Sequence, residues 1–269
     1  MGGITNRTYR VSGGGAVYVL RIAAESTHYL DRAAEAHNAR IAGRLGIAPE
    51  VLHADERLMV TGYLSGARPL DLADFADPAC LARIGDVLRR LQRSGETFRG
   101  ARHPFGEIDK YLDLHPHPRA TALRRAAETL AGAIAAAPLA PAPAHVDPNP
   151  ANFLLCADGA LRLVDWEFSA MTDPCWDIAA ILSQRSYDGD ALRRLAGEVL
   201  GNADGVILAR IALFRVAMFL VAGSWCAMEA AFRGDAGLMR MADDYLDRFA
   251  EALADPRMPR WLLGHFPAA

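Results

Sequence analysis

The residues best suited to chemistry in this chain lie in one stretch. It reads His145-Val-Asp-Pro-Asn-Pro-Ala-Asn152, and an apolar strand later ends at Asp165, followed by Trp166 and Glu167. Asp147, Asn152 and Asp165 form the donor set that phosphoryl transfer from ATP requires. Mg²⁺ takes hard oxygen ligands, which Asn152 and Asp165 supply. Asp147 is spaced to orient an attacking hydroxyl and accept its proton. A strand–turn–strand between residues 152 and 165 brings the two metal ligands together. The plain alternative is a turn Asp, a capping Asn and a strand-end Asp. The H-x-D-x-x-x-x-N pattern arises by chance on the order of once in a hundred such chains.

The N-terminal part must then supply a cation for the phosphates and cover for a base. Lys110 is the one lysine in the chain, far from any suitable strand, so Arg21 takes that place. Arg21 ends the strand Ala16–Ile22 and shares a face with Val19, which is placed to cover adenine. Glu35 on the next helix is its expected partner, since Arg pairs bidentately with carboxylate or phosphate. Gly2-Gly-Ile-Thr-Asn-Arg-Thr-Tyr9 reads as the loop over the phosphates, with Gly3, Thr5 and Asn6 as contacts. Glycine permits close backbone approach there. A surface Arg–Glu pair and a loose terminus are the plain alternatives.

On these residues, with Tyr18-Val-Leu-Arg-Ile22, the run to Phe153 and the run Asp165 to Ala179, the chain resembles the choline/ethanolamine kinase family. That family lies within the aminoglycoside-phosphotransferase-like, protein-kinase-like superfamily, and the bacterial choline kinase group is the closest. Arg at position 21 and the Asp-Trp-Glu form of the metal motif favour it over the antibiotic kinases. The resemblance implies an α+β, two-lobed protein-kinase-like fold. A small β-rich N-lobe would span residues 1–63 and a larger, mostly helical C-lobe residues 64–269. It also implies a small-molecule kinase using ATP and Mg²⁺ on the hydroxyl of a small amino alcohol, choline first. Ethanolamine or thiamine is the alternative acceptor, and a nucleotide-binding pseudoenzyme is the reading from another class. By the same resemblance Asp147 is the catalytic base, and Asn152 and Asp165 hold Mg²⁺. His145 and the buried Asp177 support the catalytic loop. Thr61 to Leu64, including Tyr63, form the hinge that holds adenine. Family members usually carry a strand and helix before the Gly-Gly-x-Thr-Asn loop, so the N-lobe is expected to lack its first strand or the start to lie further upstream.

A quaternary ammonium is held by aromatic faces with carboxylates nearby. Trp225 falls where the family has a pocket tryptophan, and Glu229, four residues on, shares its helical face. Tyr245 and Glu167 complete the expected acceptor set, with Trp166 as a further aromatic candidate. Glu167 can equally support the metal site, and an aromatic in an apolar helix is usually core. His115 and His117 lack further ligands for a metal site.

These residues need elements to hold them. A hairpin is expected from Thr8–Val11 and Ala16–Ile22 around Ser12-Gly-Gly-Gly15, then a helix over 30–45 and strands over 50–54 and 57–63. Leu81, Ile84, Val87, Leu88 and Leu91 give 78–93 a helical period. One helix is expected over 120–137, a stiff Pro-rich connection over 138–143, strands over 153–156 and 161–164, and helices from about 176 onward.

Composition limits the partners. The 269 residues carry 29 basic and 32 acidic side chains, a formal charge of −3. That balance gives no basic excess for nucleic acid or an anionic membrane. The apolar run 216–228 is too short to span a bilayer by itself and reads as a buried helix. Four scattered cysteines and an N-terminus without a signal-peptide pattern suggest a cytoplasmic protein. Nothing in the composition fixes the oligomeric state.

Overall fold

The computed structural model describes residues 5–24, 27, 29–184 and 189–266. The chain divides into two compact units, residues 1–101 with 142–171 and residues 102–141 with 172–269.

The first unit opens with the hairpin of β1 (Asn6–Gly13) and β2 (Ala16–Ala23). Gly14 and Gly15 turn it at φ of 59° and 80°, a region that suits residues without a Cβ. Helix α1 (Arg32–Arg44) follows, capped by Asp31, whose side chain accepts the Ala34 N–H. Strands β3 (Val51–Ala54) and β4 (Leu58–Gly62) complete an antiparallel sheet of order β1-β2-β4-β3. Among the described residues β1 is an outer strand, with mostly exposed side chains.

A second, three-stranded sheet carries the chemistry-bearing segment. It contains β5 (Arg68–Pro69), β7 (Phe153–Leu155) and β8 (Leu161–Leu163), in the order β5-β7-β8. β6 (Ala142–Ala144) pairs with β9 (Ala170–Thr172), so the end of the Pro-rich run is a strand and not only a connection. Phe153 pairs with Leu163, and the Val164 N–H donates to the Asn152 carbonyl at 3.0 Å. Helix α2 (Pro78–Gln92) buries Leu81, Ile84, Val87, Leu88 and Leu91 against this layer. Each of those side chains contributes roughly 1.5–3 kcal/mol on burial. The Leu163 N–H donates to the Ile47 carbonyl at 2.7 Å. Such bonds keep residues 64–101 and 142–171 in the unit with the first sheet. The boundary expected at 63/64 marks a change in sequence pattern, whereas the contacts divide the chain elsewhere.

The second unit is helical. It holds α3 (Pro104–Leu114), α4 (Pro118–Ala126), α5 (Glu128–Ala136), α6 (Cys175–Ser183) and α7 (Gly189–Leu200). α8 (Gly205–Arg233), α9 (Ala236–Leu253) and α10 (Met258–Leu262) follow. The other seven helices all pack against α8. At 29 residues α8 is long and apolar enough to cross a membrane, but 67% of its apolar window is buried within the fold. The expectation of a run too short to span therefore fails on length, while burial makes α8 a core helix. The helix expected over 120–137 is two helices broken at the fully buried Ala127. No Gly or Pro marks that break; α4 packs toward α3 and α9, and α5 toward α10.

Candidate active site

The loop 145–152 runs between β6 and β7, and the 165–169 turn follows β8. Among the described residues two non-glycine residues have positive φ, Val146 at 74° and Asp165 at 70°. Left-handed backbone is costly for such residues and concentrates where function over-determines geometry. His145 is fully buried, and its Nε2 lies 2.9 Å from the Val164 carbonyl. Its ring packs 4.8 Å from that of Trp166. Burial pushes its pKa down to about 4.

Asp147 accepts from Asn149 Nδ2 at 3.0 Å and from Asn152 Nδ2 at 3.2 Å, both on Oδ2. Asn152 Nδ2 also donates to the Asp147 carbonyl at 2.9 Å. Burial, followed by the nearby Asp165 charge, raises Asp147 to about 7. Because the Asn152 amide nitrogen is turned to Asp147, its carboxamide oxygen is left for another partner.

Arg21 links the other charged groups. It donates to Glu35 Oε1 at 2.7 Å and Asp165 Oδ1 at 2.5 Å, and lies 3.7 Å from Glu167 Oε2. Arg32 bridges Glu35 and Glu167 at 2.7 and 3.1 Å. Burial works to lower the Arg21 pKa, but Asp165, Glu35 and Glu167 outweigh it and raise it. The carboxylates of Glu35, Asp165 and Glu167 converge within 4.8 Å of one another. Asp165 and the Asn152 amide oxygen are hard oxygen donors on one cleft and fit a Mg²⁺ ion, while Glu35 and Glu167 are held by Arg21 and Arg32.

A cleft of about 290 Å³ lies within the same unit. Val19, Met59, Thr61, Tyr63, Leu64 and Leu154 line its apolar part, and Arg21, Asn152 and Asp165 its polar part. Val19, Arg21 and Tyr63 thus meet Asn152 and Asp165 around one space, and Glu35 stands beside them through Arg21.

Thr5 and Asn6 are differently placed from the sequence expectation, and Glu167, for which the sequence leaves an ammonium contact and support of the metal site both open, lies beside Asp165. Thr5 Oγ1 and Asn6 Nδ2 donate to the Glu167 carboxylate at 2.6 and 2.7 Å, and all three residues are buried. Their side chains are engaged with one another, so Glu167 is no open face for an ammonium, and Thr5 and Asn6 offer no free side chain to a phosphate. Burial, followed by Asp165, raises the Glu167 pKa. Gly3 lies outside the described residues.

In the second unit, Trp225 and Tyr245 pack against the cluster of Cys226, Ala227 and Ala242. Gly223 permits the approach of α9 there, since a Cβ would lie 2.8 Å from Leu246 Cδ2. The Arg248 guanidinium lies 5.9 Å from the Tyr245 ring centre, so an internal cation already neighbours that aromatic face. Glu229, expected to share Trp225's face, is fully buried and bonded to Arg233 at 2.6 Å. Asp177 is fully buried on α6.

Sequence reasoning missed Arg32 and Asn149. Arg32 stands three residues before Glu35, a spacing that pairs side chains on a helix. Asn149 lies inside the quoted motif at a position that the pattern leaves open.

The Phosphotransferase enzyme family model matches residues 1–214. Protein LicA of Haemophilus influenzae is 30% identical over 203 residues, covering 71% of this chain. The matched part spans 59% of that relative's own length. A choline/ethanolamine kinase family protein from Mesorhizobium loti superposes with a TM-score of 0.81 at 29% identity, covering 97% of this chain and 93% of that one. LicA solved in complex with AMP shares the fold at a TM-score of 0.80 and 23% identity, covering 94% of this chain and 90% of that one. A small β-rich N-lobe, a larger helical C-lobe and a family match over more than half its length agree: the chain belongs to the Phosphotransferase enzyme family, with the kinase-like fold of small-molecule kinases.

Proposed function

We propose that this chain transfers the γ-phosphoryl group of ATP to the hydroxyl of a small amino alcohol, choline first. The observation that carries the reading is the cleft bounded by Val19 and Tyr63 on its apolar side and by Arg21, Asn152 and Asp165 on its polar side. Adenine lies against the apolar part, with the backbone of Thr61 to Leu64 as its hydrogen-bonding edge. Arg21 turns toward the α- and β-phosphates, and Glu35 holds it there. Asn152 and Asp165 hold Mg²⁺, which when bound neutralises phosphate charge and aligns the γ-phosphoryl group.

Asp147 orients the acceptor hydroxyl and takes its proton at a carboxylate oxygen. Asn149 and Asn152 fix that carboxylate. A group near 7 is suited to gaining and losing a proton at neutral pH. His145 holds the loop through the Val164 carbonyl and moves no proton. Glu167 anchors Thr5, Asn6 and Arg32 instead of touching the acceptor. Asp177 supports the loop, residues 1–63 act as the nucleotide lobe and residues 64–269 carry the catalytic loop and acceptor pocket. Trp225 supplies an aromatic face for the ammonium, with the half-buried Tyr245 in a lesser part. Choline over ethanolamine rests on that aromatic face; the name of the Mesorhizobium loti relative covers both acceptors and supports only the amino-alcohol class. A cytoplasmic location accords with four free thiols.

The test is ADP release by the purified chain with ATP and Mg²⁺ against choline, ethanolamine, thiamine and an aminoglycoside. Turnover with choline well above the others is expected. Turnover with the aminoglycoside alone contradicts the acceptor assignment. Nucleotide binding without turnover on any acceptor favours the pseudoenzyme.

A further inference from the structure

Asn38 is fully buried on α1, three residues after Glu35 and on the same helical face. Its Nδ2 lies 3.1 Å from the Arg99 carbonyl, 3.0 Å from the Ser169 carbonyl and 3.1 Å from Ser169 Oγ. Its Oδ1 accepts the Arg99 N–H at 2.8 Å. Both ends of the amide are therefore used, and three separate chain segments meet on one side chain. Ser169 closes the turn that Asp165 opens, its Oγ donating to the Trp166 carbonyl at 2.6 Å. Phe98, beside Arg99, packs edge-on to Trp166 at 5.9 Å.

We propose that Asn38 is a positioning residue for the nucleotide end of the site. It locks α1, and Glu35 with it, against the turn that carries Asp165 and Glu167. This rests on the nucleotide reading above. The Arg21 fork reaches Glu35 and Asp165 at once only while helix and turn keep their separation. An aliphatic residue at position 38 would fill the space but release the turn. Aspartate would keep only the bond from the Arg99 N–H and would set a charge against three acceptor oxygens. Asn38 touches no substrate, so its loss acts through Arg21, Glu35 and Asp165.

The test measures Mg²⁺–ADP affinity by calorimetry for the wild type, Asn38→Ala, Ser169→Ala and Ile134→Ala. Ile134 is buried in the second unit and serves as a stability control. Asn38→Ala is expected to weaken Mg²⁺–ADP about tenfold, and Ser169→Ala about threefold, since it removes one of the acceptors. Ile134→Ala should leave affinity unchanged despite a comparable loss in Tm. With an active acceptor, kcat/KM for ATP should fall about tenfold in Asn38→Ala while KM for the acceptor stays within twofold. Unchanged affinity in both folded variants overturns the proposal, as does an equal loss in the Ile134 control. If Asn38→Ala does not fold, Ser169→Ala carries the test alone. A wild type that binds no nucleotide overturns the nucleotide reading itself.

Discussion

Around Arg21 every charged group already meets another one. Two arginines and three carboxylates share short contacts, and at Glu167 Thr5 donates to Oε1 while Asn6 shares Oε2 with Arg32. Around Trp225 and Tyr245 the packing is against the apolar cluster of Cys226, Ala227 and Ala242, with the Arg248 guanidinium 5.9 Å from the Tyr245 ring centre. The difference bears on how each region can recognise a ligand. A polar network must exchange an internal ion pair for a ligand contact, so its affinity is a difference between large terms. An aromatic surface gives up little when a cation arrives, but it also selects less sharply.

The largest effect that separates the regions is expected at Asp147. Asp147→Asn should lower turnover by about 10²–10⁴-fold while leaving nucleotide affinity nearly unchanged. The same variant should raise Tm at neutral pH by about 2–4 °C, because it removes a carboxylate that the fold keeps near 7. A rise in Tm with full activity retained would remove Asp147 from the chemistry.

Next in size is Arg21→Met, which leaves Arg32 as the arginine between Glu35 and Glu167 and removes the arginine that pairs with Asp165. It should cost about 3 kcal/mol in chemical denaturation, since one partner of a buried pair is lost. A cost below about 1 kcal/mol would mean that the network adds nothing net, as for exposed ion pairs. By contrast Trp225→Leu should raise KM for choline about tenfold, on the order of 1.4 kcal/mol, with KM for ATP unchanged. A rise in both KM values would assign Trp225 to packing.

The smallest effect is a pair of opposed pH slopes, read in metal-free buffer. His145 has its folded pKa lowered from 6.5 to about 4. Its contribution is present above 6.5 and is lost as pH falls toward 4. Asp147 is raised from 3.8 to about 7, so its contribution is present below 3.8 and is lost as pH rises through 7. The two oppose each other between about pH 4 and 6.5. Asp147→Asn should expose the His145 slope, with stability falling on acidification, and His145→Gln should expose the reverse. Unchanged slopes in both variants would contradict the shifts.

The parts legible in the sequence are those governed by local pattern. The β1–β2 turn follows from adjacent glycines, and α2 from apolar spacing with Asp77 and Pro78 at its start. Helix α3 was not foreseen, although Pro104 begins it and Phe105, Ile108 and Tyr111 are its buried face. The break at Ala127 has no local signal because packing against different neighbours sets it. At the candidate site, the residues of the catalytic stretch could be read from spacing because β7 and β8 are adjacent in sequence. The environment of Glu167 could not, because Thr5 and Asn6 lie some 160 residues away, and only the fold shows that their side chains are already engaged.

The most direct measurement of the central claim is mass-spectrometric detection of phosphorylated choline from ATP, Mg²⁺, choline and the purified chain, with Asp147→Asn in parallel. The account predicts phosphocholine and ADP in equal amounts from the wild type, and little of either from the variant. ADP without phosphocholine, or phosphocholine formed equally by the variant, would contradict it.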